Sequence, residues 1–472
     1  MRGQDTIGVL LPGHCHPPPQ IAEAVTMVTA LSTPGDPPKV RATGLEEAMK
    51  AWRIALVSIG VLALALHAVA QAEQYGSDSA PIHITWQMQP TQSPKSSVPS
   101  VKEYYQSHID AWVKAHPDVM LDVTFNSTDI NASMARMQEQ ATAGRTPDFA
   151  MLDSFFLSRF YQYLQPLDRF YGPDQVDDFV AFARKGMRGP DGKLKALWVN
   201  TDVRVLYYRK DLVSNPPKTW DELIMQASAL SKLGLTGYLY PGGRGEGAVM
   251  ENLPMFWAQG GELVDASGKP VFGEGKNRVA LLNLLGFLKR TIDSGASPSR
   301  VVNYKIEADL YPEILRGNVA MFLGGNWMAR QLRDLGDRHD WGVAPIPLMT
   351  SGDPVTAAGG WTYAVFTPDA KKQAVIIDLI NSLVASPAAM AASTEAIGNL
   401  PTRMSVAQGS SAYVQDPTVR DFLSLLRYAR ARPGAAIYPS ISTELQVAMS
   451  DVITGQQTPE AALDQAWHKL AP

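Results

Sequence analysis

Two periods of apolar residues alternate along the chain. Ile82, Ile84 and Trp86 stand apart by two, as in a strand, while Val101, Tyr104, Tyr105, Ile109, Trp112 and Val113 repeat at helical spacing until His116-Pro117 ends the helix. Val119, Leu121, Val123 and Phe125 alternate again as a half-buried strand. A helix is predicted over 130–143, and Phe149-Ala150-Met151-Leu152 forms a short buried strand ending at Asp153. This β-α-β-α-β order predicts a parallel sheet with helices on its faces. Ligands of such sheets bind beyond the carboxyl ends of the strands. Trp86 and Gln87, the Asn126 to Asp129 stretch, and Asp153 with Ser154 stand there and are candidate contacts.

The alternation continues. A strand is predicted over 203–208, and Thr219-Trp220-Asp221-Glu222 is a capping box opening a helix through Leu230. Residues 281–292 read as a helix stopped by Gly295. A strand over 319–323 leads into Gly324-Gly325-Asn326-Trp327, which opens another helix. Strands are predicted at 341–344 and 362–366, then helices over 370–385, 387–396, 418–431, 440–454 and 459–469.

One run breaks both periods. Ile54 to Leu66 is continuously apolar, preceded by Met49-Lys50-Ala51-Trp52-Arg53 and followed by Ala68-Val69-Ala70-Gln71-Ala72. A start residue, two positive charges, a short apolar stretch and small residues form the pattern of a secretory signal peptide over 49–72. Residues 1–48 are expected to be a disordered or mis-assigned extension, with a membrane-anchored chain as the alternative. The expected mature chain follows Ala70 or Ala72 and lacks the one cysteine, Cys15. It therefore has no acceptor for a lipid anchor, and a soluble periplasmic protein is expected.

Composition narrows the chemistry. The 472 residues carry a net charge of -4, which argues against the basic face that nucleic acid requires. A single cysteine excludes an internal disulfide, and none of the five histidines of the expected mature chain (His83, His108, His116, His339, His468) stands at metal-ligand spacing, so neither metal nor cofactor is expected. Gly243-Arg244-Gly245-Glu246-Gly247-Ala248 matches a dinucleotide fingerprint, but Glu246 would face the pyrophosphate and Pro254 would interrupt the helix. An adaptable glycine-rich loop is the better reading. Sugars present hydroxyl edges and apolar C–H faces, so their sites combine aromatic rings with planar polar groups. Trp86, Trp327 and Trp361 stand at strand ends or beside glycine turns and are candidate platforms. Trp112, Trp220, Trp257, Trp341 and Trp467 read as packing.

Leu206-Tyr207-Tyr208-Arg209-Lys210-Asp211-Leu212, followed by Asn215-Pro216-Pro217-Lys218-Thr219-Trp220, resembles the hinge-proximal segment of extracellular solute-binding proteins of the maltose-binding type. Thr146-Pro147-Asp148, Trp257 to Gly261, Gly325-Asn326-Trp327, Gly359-Gly360-Trp361 and Asn399-Leu400-Pro401-Thr402-Arg403 keep that family's order, so the resemblance covers residues 81–472. It implies an α/β fold of two lobes, the type II periplasmic-binding-protein fold, each lobe a mainly parallel sheet flanked by helices around a shared cleft. Crossings are expected near Asp202, Gly359 to Trp361, and Asp416, giving one lobe of 73–201 and 362–415 and another of 203–358 and 417–472.

By that resemblance Asp202 accepts sugar hydroxyls at the hinge, Trp327 is a second-lobe platform, and the Asp153-Ser154 loop faces the cleft. The Glu246 to Asn252 stretch is a second-lobe cleft loop. Asn326, Gly360 and Arg403 belong to the matching motifs. Two family platforms are missing: Leu152 and Leu445 stand in their places, with Tyr438 the nearest aromatic to the second. The implied function is that of a monomeric periplasmic receptor, not an enzyme, delivering a di- or oligosaccharide to the permease subunits of an ABC importer. Two alternatives stay open. One is a receptor for a phosphorylated polyol held by Arg204, Arg244 or Arg403; the other is a secreted glycoside hydrolase using Asp153 and Asp202.

Overall fold

In a computed structural model, residues 72–471 except Thr128 are described. The predicted signal segment, the extension before it and Cys15 lie outside those residues. Strands β1 (Glu73–Tyr75), β2 (Ile82–Met88), β3 (Val119–Phe125), β4 (Phe149–Asp153), β5 (Ala196–Trp198) and β6 (Asn200–Thr201) come first. They are followed by β7 (Arg204–Arg209), β8 (Thr236–Leu239), β9 (Val319–Gly325), β10 (Trp341–Ala344), β11 (Thr356–Ala358), β12 (Trp361–Val365), β13 (Leu400–Pro401) and β14 (Ala429–Ala431).

Two larger sheets organise the molecule. One has six strands in the order β1-β3-β2-β4-β12-β5, and the other four in the order β10-β7-β9-β8. The β2–β3, β2–β4 and β8–β9 pairs are parallel. The pairs made by β1, β12 and β10, and the β7–β9 pair, are antiparallel. In each sheet most strands run one way, and the exceptions are β12 and β7, which enter from the other sheet, and the edge strand β1.

The chain passes between the sheets at β5–β6–β7 and again at β11–β12. The two-residue pair β6–β13 and the parallel pair β11–β14 lie beside those passages. Trp86, Phe149, Tyr363 and Ile380 fill one core on the first sheet. The second core runs from Tyr207, Phe256 and Leu284 across to Phe155 and Phe160.

Local signals explain most elements. Thr219 accepts a hydrogen bond from the Glu222 N–H, and Glu222 reaches back to Thr219, completing the capping box of the Trp220–Ser231 helix. Two readings are corrected. Glu246–Trp257 is a helix throughout and not a loop, with Pro254 inside it. The predicted 418–431 helix stops at Leu425, and Ala429 to Ala431 turn into β14. Helix 370–385 ends in one wide turn, Asn381–Ala385.

Candidate functional site

Between the sheets lies a cavity of about 140 Å³. Its first wall comes from the chain after β2 (Gln89, Thr91, Gln92), the end of β4 (Asp153) and the start of β12 (Gly360, Trp361). Its second wall comes from Asp202 and Arg204 before and at the start of β7, and from the start of the Glu246–Trp257 helix. Glu307, Trp327 and Arg432 complete that wall.

Strand register builds the first wall. Antiparallel pairing sets Asp153 directly opposite Trp361, so a carboxylate and an indole become cross-strand neighbours. Gly360 precedes them at φ 135°, and a Cβ there would come within 2.0 Å of the Asn200 carbonyl oxygen. Only glycine passes so close to β6.

Arg432, delivered by β14, spans the cavity. Its Nη2 donates to both oxygens of Asp153 at 3.0 and 3.2 Å, and its Nη1 to Glu246 Oε1 at 3.1 Å. Its guanidinium lies 3.8 Å from the centre of the Phe155 ring. Glu246 opens its helix, where an acidic residue faces the positive end of the dipole. It also accepts hydrogen bonds from Tyr438 Oη at 2.8 Å and from the Ser442 hydroxyl. Burial raises the Asp153 carboxyl above its ordinary value, although Arg432 pulls the other way.

Arg204 gathers the second cluster. Its Nη1 donates to Asp202 Oδ1 at 2.6 Å, its Nη2 lies 3.6 Å from Glu307, and its guanidinium sits 4.6 Å from the Trp327 ring centre. Its Nε comes within 2.6 Å of Glu251 Oε1 but is not aligned for a hydrogen bond. Burial works against the Arg204 charge, and Asp202, Glu251 and Glu307 more than offset it, so its pKa is raised. Burial also drives the Glu251 carboxyl well above the usual carboxylate range, against the pull of Arg204 and helped by Glu307. Burial pushes Glu307 the same way, but hydrogen bonding with Glu251 and the charge of Arg204 hold it below the usual range. Of the two, Glu251 is the carboxyl biased towards holding a proton and Glu307 the one biased towards losing it.

Asp153, Asp202, Glu246, Trp327, Gly360 and Trp361 thus meet at one cavity; the other expected contacts do not. Trp86 is fully buried, its ring stacked 5.0 Å from Phe149, because β2 is an interior strand and Trp86 shares with Ile84 the face that packs into the first core. Gln87 hydrogen-bonds Asn126 within the first wall's support. Asp129 caps the Ile130–Thr142 helix through the Ala132 N–H, and its neighbour Ile130 lines the cavity instead. Ser154 bonds Gly360 through its backbone and does not line the cavity.

Asn252 turns into its own helix, its amide donating to the Ala248 carbonyl. Asn326 accepts from the Val203 N–H at 2.8 Å and donates to the Gly398 carbonyl at 2.7 Å, tying the passages together. Arg403 is buried over Phe179, with its guanidine nitrogens on the Ala385 and Gln175 carbonyls and on Asp178. Tyr438 is fully buried behind Glu246, which it positions. The residues missed are Gln89, Gln92, Glu307, Asn399 and above all Arg432. The Arg432-Pro433-Gly434 turn was the one local sign that the chain bends there. Among the described residues no cluster of His, Cys, Asp or Glu is arranged to hold a metal ion.

Residues 108–421 match the family model of the bacterial extracellular solute-binding protein. The chain belongs to that family. This solute-binding protein is 28% identical over 387 residues to the "Probable ABC transporter-binding protein" of Deinococcus radiodurans, covering 77% of this chain and 88% of that one. Its fold matches the maltose-bound MalE3 of T. maritima with a TM-score of 0.71 and 23% identity, over 82% of this chain and 99% of that one. The GacH receptor of Streptomyces glaucescens, solved unliganded and with acarbose, matches with a TM-score of 0.68 and 23% identity, over 82% and 98%. The solute-binding protein therefore has the two-lobed type II periplasmic-binding fold, with the cavity in the cleft between its lobes.

Proposed function

We propose that this solute-binding protein captures a carbohydrate in the cleft and presents it, closed, to the permease of an ABC importer. The observation that carries the reading is the cross-strand pair Asp153–Trp361 facing Asp202 and Trp327 across one cavity. Indole faces meet the apolar side of a sugar ring and carboxylates accept its hydroxyls. The solved relatives hold maltose and acarbose, which supports the same class here. Lobes of 73–201 with 362–415, and of 203–358 with 417–472, would hinge near Asp202, Gly359 to Trp361 and Asp416. The ligand would shift the equilibrium by its preference for the closed state. The protein would act in the periplasm as a monomer after loss of the 49–72 segment, with no covalent chemistry.

The arginines weighed for an anionic ligand are engaged. Arg204 faces three carboxylates, Arg244 pairs with Asp451 at 2.8 Å, and Arg403 is buried in the first lobe. A thermal-shift screen of mono-, di- and trisaccharides with glycerophosphodiesters tests the reading. The expected result is a rise in melting temperature with a sugar, no product, and a loss of about 1–3 kcal/mol of affinity in Trp327→Ala. Stabilisation by none of the sugars, or turnover of one, overturns it.

A further inference from the structure

The cleft's charges do not balance. Asp153, Asp202, Glu246 and Glu307 face the cavity against only Arg204 and Arg432. Each guanidinium already holds more than one carboxylate: Arg432 binds Asp153 and Glu246, and Arg204 binds Asp202 with Glu251 and Glu307 nearby. Counting Glu251 as the protonated acid, two negative charges remain without a cation of their own. One flat face of each guanidinium also lies against an aromatic ring, Trp327 for Arg204 and Phe155 for Arg432.

A second observation is independent of charge. Gln89 and Asn399 line the cavity, each more than nine-tenths buried, and the side-chain oxygen of each lacks a hydrogen-bond donor. Among the described residues that line the cavity, the unpartnered buried donors are the Nε–H groups of Arg204 and Arg432, and that of Arg204 already lies against Glu251. Glu307 has no side-chain donor closer than Arg204 at 3.6 Å other than the Glu251 acid. The wall is thus rich in acceptors and negatively charged. A hydroxyl supplies one donor and no charge, whereas an ammonium supplies three donors and one positive charge.

We propose that the cleft selects a carbohydrate bearing a protonated amine over its neutral and anionic counterparts, with Asp202 and Glu307 receiving the ammonium. This rests on the carbohydrate reading above and narrows its substrate class. Burial magnifies the preference, since a charge partner in a water-poor cleft is screened less than at the surface. An anionic sugar would meet two uncompensated carboxylates and two arginines already paired with carboxylates.

The test is calorimetric titration of the full mature chain with matched sugars differing at one substituent. The probes are the 2-amino-2-deoxy, parent and 2-acetamido forms of glucose, galactose and mannose, their β-1,4-linked disaccharides where they exist, and the corresponding uronates. The expected result is an amine bound at least tenfold tighter than the hydroxyl and acetamide forms of the same skeleton, with the uronate weakest. In Glu307→Gln the amine-to-hydroxyl affinity ratio is expected to fall towards one. A neutral sugar bound as tightly as its amine, or a ratio unchanged in Glu307→Gln, overturns the inference and leaves the carbohydrate reading standing. Absence of binding by every sugar overturns both.

Discussion

Burial, opposed by Arg432 at Asp153 and by Arg204 at Glu251, raises the carboxyl pKa of both residues in the cleft. Glu251 is fully buried, and neither of its oxygens has a hydrogen-bond donor aligned on it. Its raised pKa means the native state holds a proton that the unfolded chain releases above the ordinary glutamate value of about 4.3. Where the native state binds more protons, stability falls as pH rises. The contribution of Glu251 is therefore complete below that ordinary value and lost as pH climbs towards the raised one. Glu251→Gln keeps the shape of the neutral acid without the proton. Melting temperatures from pH 5 to pH 8 are expected to drop less steeply in Glu251→Gln than in the parent protein. Parallel curves would mean that Glu251 is already ionised at pH 5. At this scale legibility followed exposure of the strand ends. Asp153 ends its strand, Trp361 begins one and Asp202 lies between two, so all three reach the cavity, whereas Trp86 occupies an equally suggestive position two residues before its strand ends. Periodicity shows which residues share a face of a strand but not whether that face meets a cleft or a closed core.

Short elements carry the cleft, and they are the ones that periodicity cannot detect. β14 has three residues and forms by parallel pairing with β11, a strand of equal length more than seventy positions away. Neither is long enough to display a period of two, so a helix-like pattern from the preceding residues ran on through it, and Arg432 was lost with it. The Glu246–Trp257 helix was hidden for another reason. Its start lies in a glycine run that resembles a mobile loop, yet those glycines are places of contact. A Cβ on Gly243, Gly245 or Gly247 would lie 2.6 Å from the carbonyl oxygen of Val302 or Lys305. The run therefore seats the helix against the 302–306 segment, fixing Glu246 beside the chain that carries Glu307. Gly247→Ala is expected to push the two apart, costing about 1–3 kcal/mol in unfolding free energy, as overpacking does. Ligand affinity should fall at least threefold. Urea denaturation and calorimetry check both; a variant with parental stability and affinity would show that the segment yields at no cost.

At the scale of the molecule, the two-lobed plan was legible from motif order, while the closeness of the lobes was not, since it depends on side chains meeting across the cleft. Arg432 from β14 grips Asp153 on β4. Nearby, the Ser158 hydroxyl and the Arg159 guanidinium donate to the Gly434 and Ala436 carbonyls, and the Gln331 amide donates to the Ile397 carbonyl at 3.0 Å. These contacts hold the cavity to about 140 Å³, below the roughly 300–1,000 Å³ of common ligand pockets. A disaccharide therefore enters only when the lobes part, and the buried Arg432–Asp153 ion pair is among the contacts to be broken. Arg432→Met removes the shared cation and leaves Asp153 and Glu246 facing each other as buried, unpaired carboxylates. Breaking a buried ion pair from one side costs about 3–5 kcal/mol, and opening the cleft relieves that cost by returning both groups to water. Small-angle scattering without ligand is expected to give a larger radius of gyration for Arg432→Met than for the parent chain. Adding Asp153→Asn removes one of the two facing charges, so the double variant is expected to return part of the way to the compact form. Equal radii for all three proteins, with each confirmed as folded by its melting transition, would show that apolar contact between the lobes, and not this ion pair, keeps the cleft shut.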